Sequence, residues 1–196
     1  MKRTIFMVAL VFTFLMSACP KTAAQALNNV TMLKQFLDNQ PVNGPANPIK
    51  VTMAANDLII EDIAKTIKSA GKYVNLELTG NFLTYISYFS ECYALVNITI
   101  PSSVTYIGYH AFEKCYNLTS VTIPSSVTEI GDSAFQYCFS LTSVTFATGS
   151  NITNNNFGER AFLINYNSVN NLKTAYSTGK AGTYTRPKDG DTWTKK

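Results

Sequence analysis

Charge is scarce in this chain. Of its 196 residues only 14% are Asp, Glu, Lys or Arg, and the formal net charge is +4. So thin and mixed a distribution supplies no basic stripe, and nucleic acid is excluded as an expected partner. A single histidine, His110, and scattered carboxylates leave no paired acid–base arrangement and no clustered metal-ligand set. No Gly-rich loop that could cradle a phosphate is present. No enzymatic activity, cofactor or metal is therefore expected. Polarity comes instead from Ser, Thr and Asn, which suits β-structure with a small, neutral surface. Composition favours disorder only at the far C-terminus.

Long apolar runs are missing too, with one exception near the start. Lys2 and Arg3 precede an apolar stretch from Ile5 to Met16, too short for a membrane span and suited to a secretory signal. Leu15-Met16-Ser17-Ala18-Cys19 resembles a bacterial lipobox, which implies lipid attachment at Cys19 and display on the outer surface of the cell envelope. Met16 departs from that pattern, which prefers Leu three residues before the Cys. Ala24-Gln25-Ala26 offers a competing small-x-small site, and cleavage there would release an unlipidated chain beginning at Leu27. Multiple acyl chains would anchor the protein firmly.

What the chain does have is one passage written twice. Leu95-Val96-Asn97-Ile98-Thr99-Ile100-Pro101-Ser102-Ser103-Val104-Thr105 returns as Leu118-Thr119-Ser120-Val121-Thr122-Ile123-Pro124-Ser125-Ser126-Val127-Thr128. The same offset of 23 residues carries Ile107 to Ile130, Gly108 to Gly131, Phe112 to Phe135 and Cys115 to Cys138. Self-similarity at such a period signals stacked coils, because one coil cannot bury its own apolar face. In Ile98-Thr99-Ile100 and Val121-Thr122-Ile123 the branched residues face inward and Thr faces out. Pro101 and Pro124 end each strand, lacking a donor for the ladder. The expected fold is an α/β repeat solenoid with parallel strands, a 23-residue period and a helical N-terminal cap.

The remaining segments read as the ends of this stack. Residues 1–19 form the lipoprotein-type signal and 20–48 a spacer and cap helix. Leu27, Val30, Leu33, Phe36 and Leu37 mark one helical face, followed by a loop containing Pro41, Gly44, Pro45 and Pro48. Residues 49–82 form a degenerate first repeat. Its strand is Ile49 to Met53, its helical arc runs from about Ile60 to Ala70 with Gly71 as C-cap, and its second strand is Val74 to Leu78. Aligned with the later coils, Val74, Leu76 and Leu78 take the places of Val96, Ile98 and Ile100. Residues 83–146 hold the regular repeats, and Leu83-Thr84-Tyr85-Ile86-Ser87 matches Val104 to Gly108 before a two-residue deletion. Residues 147–167 read as a frayed last coil, in which Ala161-Phe162 echoes Ala134-Phe135 after a polar insert. Residues 168–196 read as a C-terminal cap or tail. A short closing helix from Val169 to Tyr176 is expected there, and Asp189-Gly190 is a hairpin signal.

Leu118-x-x-Val121-x-Ile123, followed by Pro124-Ser125-Ser126-Val127-Thr128-x-Ile130-Gly131-x-x-Ala134-Phe135-x-x-Cys138-x-x-Leu141, is similar to a BspA-type leucine-rich repeat. The resemblance covers residues 73–146, and more loosely 49–165. It implies a secreted or surface-attached bacterial protein that binds host matrix proteins, host cells or other bacteria. A structural envelope lipoprotein with no dedicated ligand is the alternative. No second copy of the chain is called for, and a monomer is expected.

Cys92, Cys115 and Cys138 occupy one position in successive coils. Their Cβ atoms should lie near 4.8 Å apart, beyond the roughly 3.8 Å that a disulfide needs, so buried free thiols are expected. Two surfaces remain for recognition. The first is the outward strand face: Lys50 and Thr52, then the candidate partner-binding residues Asn75, Glu77, Asn97, Thr99, Ser120, Thr122, Ser143 and Thr145. The second is an aromatic arc of Tyr93, Tyr116 and Phe139, joined by Tyr106 and Tyr109. A solvated sheet and packing between coils are the competing explanations for the two.

Overall fold

A computed structural model describes residues 26–27, 29–165 and 171–196. Cys19 and the targeting segment before it lie outside the described residues, as do Ala24, Gln25 and Val169. The chain enters through strand β1 (Ala26–Leu27), which lies parallel to the edge of β2 (Ile49–Asn56). Leu27 is therefore a buried strand residue and not part of the helical face expected of it. The reason is Asn29, whose side-chain carbonyl accepts the Met32 N–H at 2.8 Å and so opens helix α1 (Val30–Asp38) one turn later. Leu33 and Leu37 are the buried residues of α1, and Val30 and Phe36 pack at the margin of the core.

Helix α2 (Ile60–Ala70) packs against α1 and buries Ile60, Ile63, Ala64 and Ile67. Its charges follow the helix dipole, with Glu61 and Asp62 in the first turn and Lys68 in the last. Gly71 ends it at φ 62°, the left-handed conformation that glycine adopts without Cβ strain. Strand β3 (Val74–Phe82) then runs parallel to β2 and continues four residues beyond the expected Leu78, because β2 itself extends to Asn56, which sits opposite Phe82.

From here the chain winds in coils that each contribute one longer strand and one two-residue strand. In order these are β4 (Tyr85–Ile86), β5 (Leu95–Thr99), β6 (Tyr106–Ile107), β7 (Ser120–Ile123), β8 (Glu129–Ile130) and β9 (Ser143–Phe146). The longer strands pair in parallel, β3 to β5 to β7 to β9, and the short ones form a separate ribbon, β4 to β6 to β8. Two parallel sheets built from one winding chain leave the interior between them. Ile98, Val121 and Val144 fill it from one side, Ile86, Ile107 and Ile130 from the other. The β3–β5 register shifts between Val74 and Asn75, so Val74 lies beside Leu95 and Leu76 beside Ile98. Val96 is thus the extra residue of a bulge. It is buried yet stands outside the main core cluster, which corrects its expected equivalence with Val74.

Three columns run the length of the coils. Phe89, Phe112, Phe135 and Phe162 stack with ring centroids 5.5, 4.9 and 4.7 Å apart and planes within 16° of parallel. Each such contact contributes about 0.5–1.5 kcal/mol beyond the area it buries. Cys92, Cys115 and Cys138 form the second column, as free buried thiols. Cys115 Sγ donates to the Phe89 carbonyl at 3.1 Å and Cys138 Sγ to that of Phe112 at 3.0 Å. The third column is glycine. Gly131 and Gly158 sit so close to the preceding coil's backbone that a Cβ would meet it at 2.6 Å.

After β9 the polar insert does not abolish the winding. Phe157 bridges to Ile130, and Phe162 returns to the phenylalanine stack. Helix α3 (Asn171–Gly179) buries Leu172 and Tyr176. Strand β10 (Gly182–Thr185) then pairs antiparallel with β9, and β11 (Thr194–Lys195) antiparallel with β10. The reversal covers the edge that a last parallel strand would leave open. The antiparallel β10–β11 pair brackets Asp189-Gly190 as expected, with a long loop between the two strands. Arg186 holds it closed from inside: its guanidinium donates to the carbonyls of Pro187, Lys188 and Gly190, and across to Phe139 at 2.6 Å. With Trp193 buried against the same guanidinium, the far C-terminus is ordered although its composition favours disorder. No helix among the described residues is long and apolar enough to cross a membrane.

Candidate functional site

Strand alternation decides which side chains remain for recognition. With Val51, Met53, Leu76, Ile98, Val121 and Val144 turned into the core, the residues between them face solvent on the larger sheet. The register aligns them strand by strand: Lys50 beside Asn75, Thr52 beside Glu77, Asn75 beside Asn97, and Glu77 beside Thr99. It continues with Asn97 beside Ser120, Thr99 beside Thr122, Ser120 beside Ser143, and Thr122 beside Thr145. All eight strand-face candidates therefore lie in two adjoining rows.

The upper row is a hydrogen-bonded chain. Ser120 Oγ donates to Asn97 Oδ1 at 2.7 Å, and Asn97 Nδ2 donates to Asn75 Oδ1 at 2.9 Å. Thr119 joins at Asn97 Oδ1 from 3.0 Å. In the lower row Thr52 Oγ1 donates to Glu77 Oε2 at 3.0 Å. At the far end the Thr145 and Thr183 hydroxyls meet at 2.9 Å, so β10 partly covers that margin of the face. At the near end the face sinks into an open depression of about 280 Å³, lined by Lys50, Thr52, Asn75, Glu77, Asn97 and Thr99 among others.

The aromatic arc divides. Tyr93, Tyr116 and Phe139 form a stacked column with centroids 5.0 and 5.2 Å apart, each ring between about a third and a half exposed. Because the rings stack on one another, the facing sides are covered, and Tyr116, between the other two, is the least exposed of the three. Tyr106 does not join it, because it belongs to the ribbon strand β6. Tyr109 projects from the turn after β6 and is 64% exposed. The set of five is therefore a column of three plus two separate tyrosines.

Among the described residues, the His, Cys and carboxylate side chains are not gathered into a metal-holding cluster. His110 Nδ1 lies 3.0 Å from Glu113 Oε2, three residues on, with the imidazole exposed and the carboxylate partly buried. Burial, reinforced by the neighbouring Cys115 thiol, pushes the Cys92 thiol up to about 12, which keeps it protonated and unreactive. Burial likewise raises Cys115. Among the described residues no group of three or more His, Cys, Asp or Glu side chains could hold a metal ion.

The model of the BspA type leucine-rich repeat region, in six copies, matches residues 83–180, half of the chain. The chain belongs to this family. No curated protein and no solved structure matches it. As a BspA-type repeat chain it is of a kind that generally serves as a non-catalytic, protein-binding module, with extended sheet surfaces for contact. The matched span begins at β4, so the two helices α1 and α2 and the strands β1 to β3 precede it. The depression is therefore built jointly by the repeats (Asn97, Thr99) and by the unit before them (Lys50, Thr52, Asn75, Glu77). The directional Asn–Asn–Ser chain was not read from the sequence, although aligning Asn75 with Asn97 placed both on one face.

Proposed function

We propose that this BspA-type chain is a surface-displayed binding module, adhesin-like in that it contacts host matrix proteins, host cells or other bacteria through the outward face of its larger sheet. The observation that carries the reading is the alignment of Asn75, Asn97 and Ser120 in one hydrogen-bonded row beside an open depression, on a face whose alternate residues are all committed to the core. Fixing these side chains before contact lowers the ordering cost of binding. The tyrosine column supports a secondary contact, since Tyr presents large rigid area with a polar tip.

In the same proposal, α1 closes the N-terminal end of a 23-residue-period stack, and the chain is held at the cell envelope by lipid on Cys19. Processing at Cys19 is supported over cleavage after Ala26 by β1. Cleavage after Ala26 would remove half of that strand and place a charged ammonium on Leu27, which is only 2% exposed.

The experiment compares the chain without residues 1–19 with its Thr99→Glu, Ser120→Glu, Thr122→Glu variant, in solid-phase binding to matrix proteins and to intact cells. Loss of binding in the variant is the expected result. Equal binding by both forms removes this face as the recognition surface. Absence of binding by either form supports the other reading, a structural envelope protein without a dedicated ligand.

A further inference from the structure

The hydrogen-bonded row has a direction, and the direction points at an empty end. Hydroxyls of Thr119 and Ser120 meet Asn97 Oδ1, and Asn97 Nδ2 meets Asn75 Oδ1. Each amide is thus polarised the same way, which strengthens the donor at the end of the chain. That terminal donor is Asn75 Nδ2. Among the described residues it meets no acceptor, and Asn75 lines the depression. Lys50 lies in register beside Asn75 on the next strand, about 4.8 Å away. It lines the same depression, and no carboxylate among the described residues pairs with it. Two adjacent donors, one of them cationic, call for an anionic acceptor.

The other side of the depression has the opposite character. Glu77 lies two residues past Asn75, about 7 Å along the strand. Its Oε2 accepts from Thr52, and its carboxylate remains exposed. A polyanion such as a sulfated polysaccharide would bring like charge against Glu77. A polypeptide segment avoids that conflict, because side chains two positions apart in an extended strand lie on one face about 7 Å apart.

We propose that the depression between β2, β3 and β5 is a subsite for an acidic side chain of a partner polypeptide, its carboxylate held by Lys50 and Asn75. A basic side chain two residues away pairs with Glu77. This rests on the outward face being the recognition surface and specifies what that surface reads.

The test uses the ¹⁵N-labelled chain without residues 1–19 and follows the side-chain amide signals of Asn75 and Asn97. The probes are acetyl-Ser-Asp-Ser-Lys-Ser-amide, the same peptide with Asn in place of Asp, and a heparin-derived hexasaccharide. The Asp-containing peptide is expected to shift the Asn75 amide saturably. Lys50→Gln should weaken it about tenfold, the loss of one charge-assisted hydrogen bond. Lys50 is exposed, so the variant keeps its fold, which an unchanged spectrum elsewhere checks. Three results overturn the assignment: no saturable shift of Asn75, an equal shift in Lys50→Gln, or tighter binding of the hexasaccharide than of the peptide. If the peptide fails while the Thr99, Ser120 and Thr122 variant still loses partner binding, the acidic-group assignment alone falls. If that variant binds normally, the face itself falls, and this subsite with it.

Discussion

Gly131 lies directly on the backbone of Gly108: a Cβ at Gly131 would stand 2.8 Å from the Gly108 carbonyl carbon and 2.6 Å from the Tyr109 nitrogen. Neither atom can move without shifting a whole coil. Gly131→Ala should therefore cost about 3 kcal/mol, the upper end for overpacking, and lower Tm by roughly 10 °C. Gly108→Ala should cost markedly less, because its nearest obstacle is the Ser87 hydroxyl, which can rotate away. Thermal unfolding of the two variants side by side checks the order. Equal losses would mean that contact between coils is not what selects glycine here.

The thiol column gives a chemical prediction. Burial first, and then the Cys115 thiol, hold Cys92 up near 12, while an unfolded thiol ionises near 9. The folded chain therefore keeps the neutral form and the unfolded chain gains charge as pH rises. The contribution is complete below about pH 9 and is lost between that value and about 12. In the chain without residues 1–19, Ellman's reagent at pH 8 should find Cys92, Cys115 and Cys138 unreactive until denaturant is added. Rapid reaction in the native state would contradict their burial.

Arg160 reaches back across the polar insert to Asp132. Its backbone N–H meets Asp132 Oδ1 at 2.6 Å, and its guanidinium meets Oδ2 at 2.9 and 2.6 Å. Partial burial raises the Asp132 carboxyl, but the hydrogen bonds from Arg160 outweigh it and hold the group below the ordinary carboxylate value. A depressed value stabilises the fold above the unfolded pKa near 4, and the benefit disappears as pH falls through the folded value. Asp132→Asn should thus be less stable than the parent at pH 6, with the gap closing towards pH 3 in urea unfolding. A gap independent of pH would show that the ion pair contributes nothing.

Much of this arrangement was legible because stacked coils obey two simple periods. Alternation within a strand placed Ile98 and Val121 inside and Asn97 and Ser120 outside. The offset between coils aligned Phe112 with Phe135 and Cys115 with Cys138. What escaped depends on hydrogen bonds that leave no periodic trace. Asn29 sits ahead of the helix as its cap, and that polar contact excludes Leu27 from the helical face. The bulge at Val96 arises from how β5 meets β3, which neither strand shows alone. Glu91, Lys114 and Tyr137 each adopt positive φ, near 60°, just before a cysteine, without the glycine that usually marks such a turn. Each of their N–H groups meets a carbonyl of the following coil, at Glu113, Gln136 and Leu163. Arg186 looks like a surface charge in a polar tail, and only the carbonyls gathered around it show that it closes the C-terminal loop.

The recognition face can be tested most directly by blocking it on one side of the stack at a time. The native thiols are buried, so an introduced cysteine in the chain without residues 1–19 can be labelled alone with a maleimide-linked polyethylene glycol. Thr122→Cys places the label on the outward face of the larger sheet, and Thr128→Cys places it at an exposed position beside the short-strand ribbon. Binding to matrix proteins and intact cells should be lost with the label at position 122 and kept with the label at position 128. Loss at 128 with retention at 122 would contradict the account and move recognition to the other side of the coil.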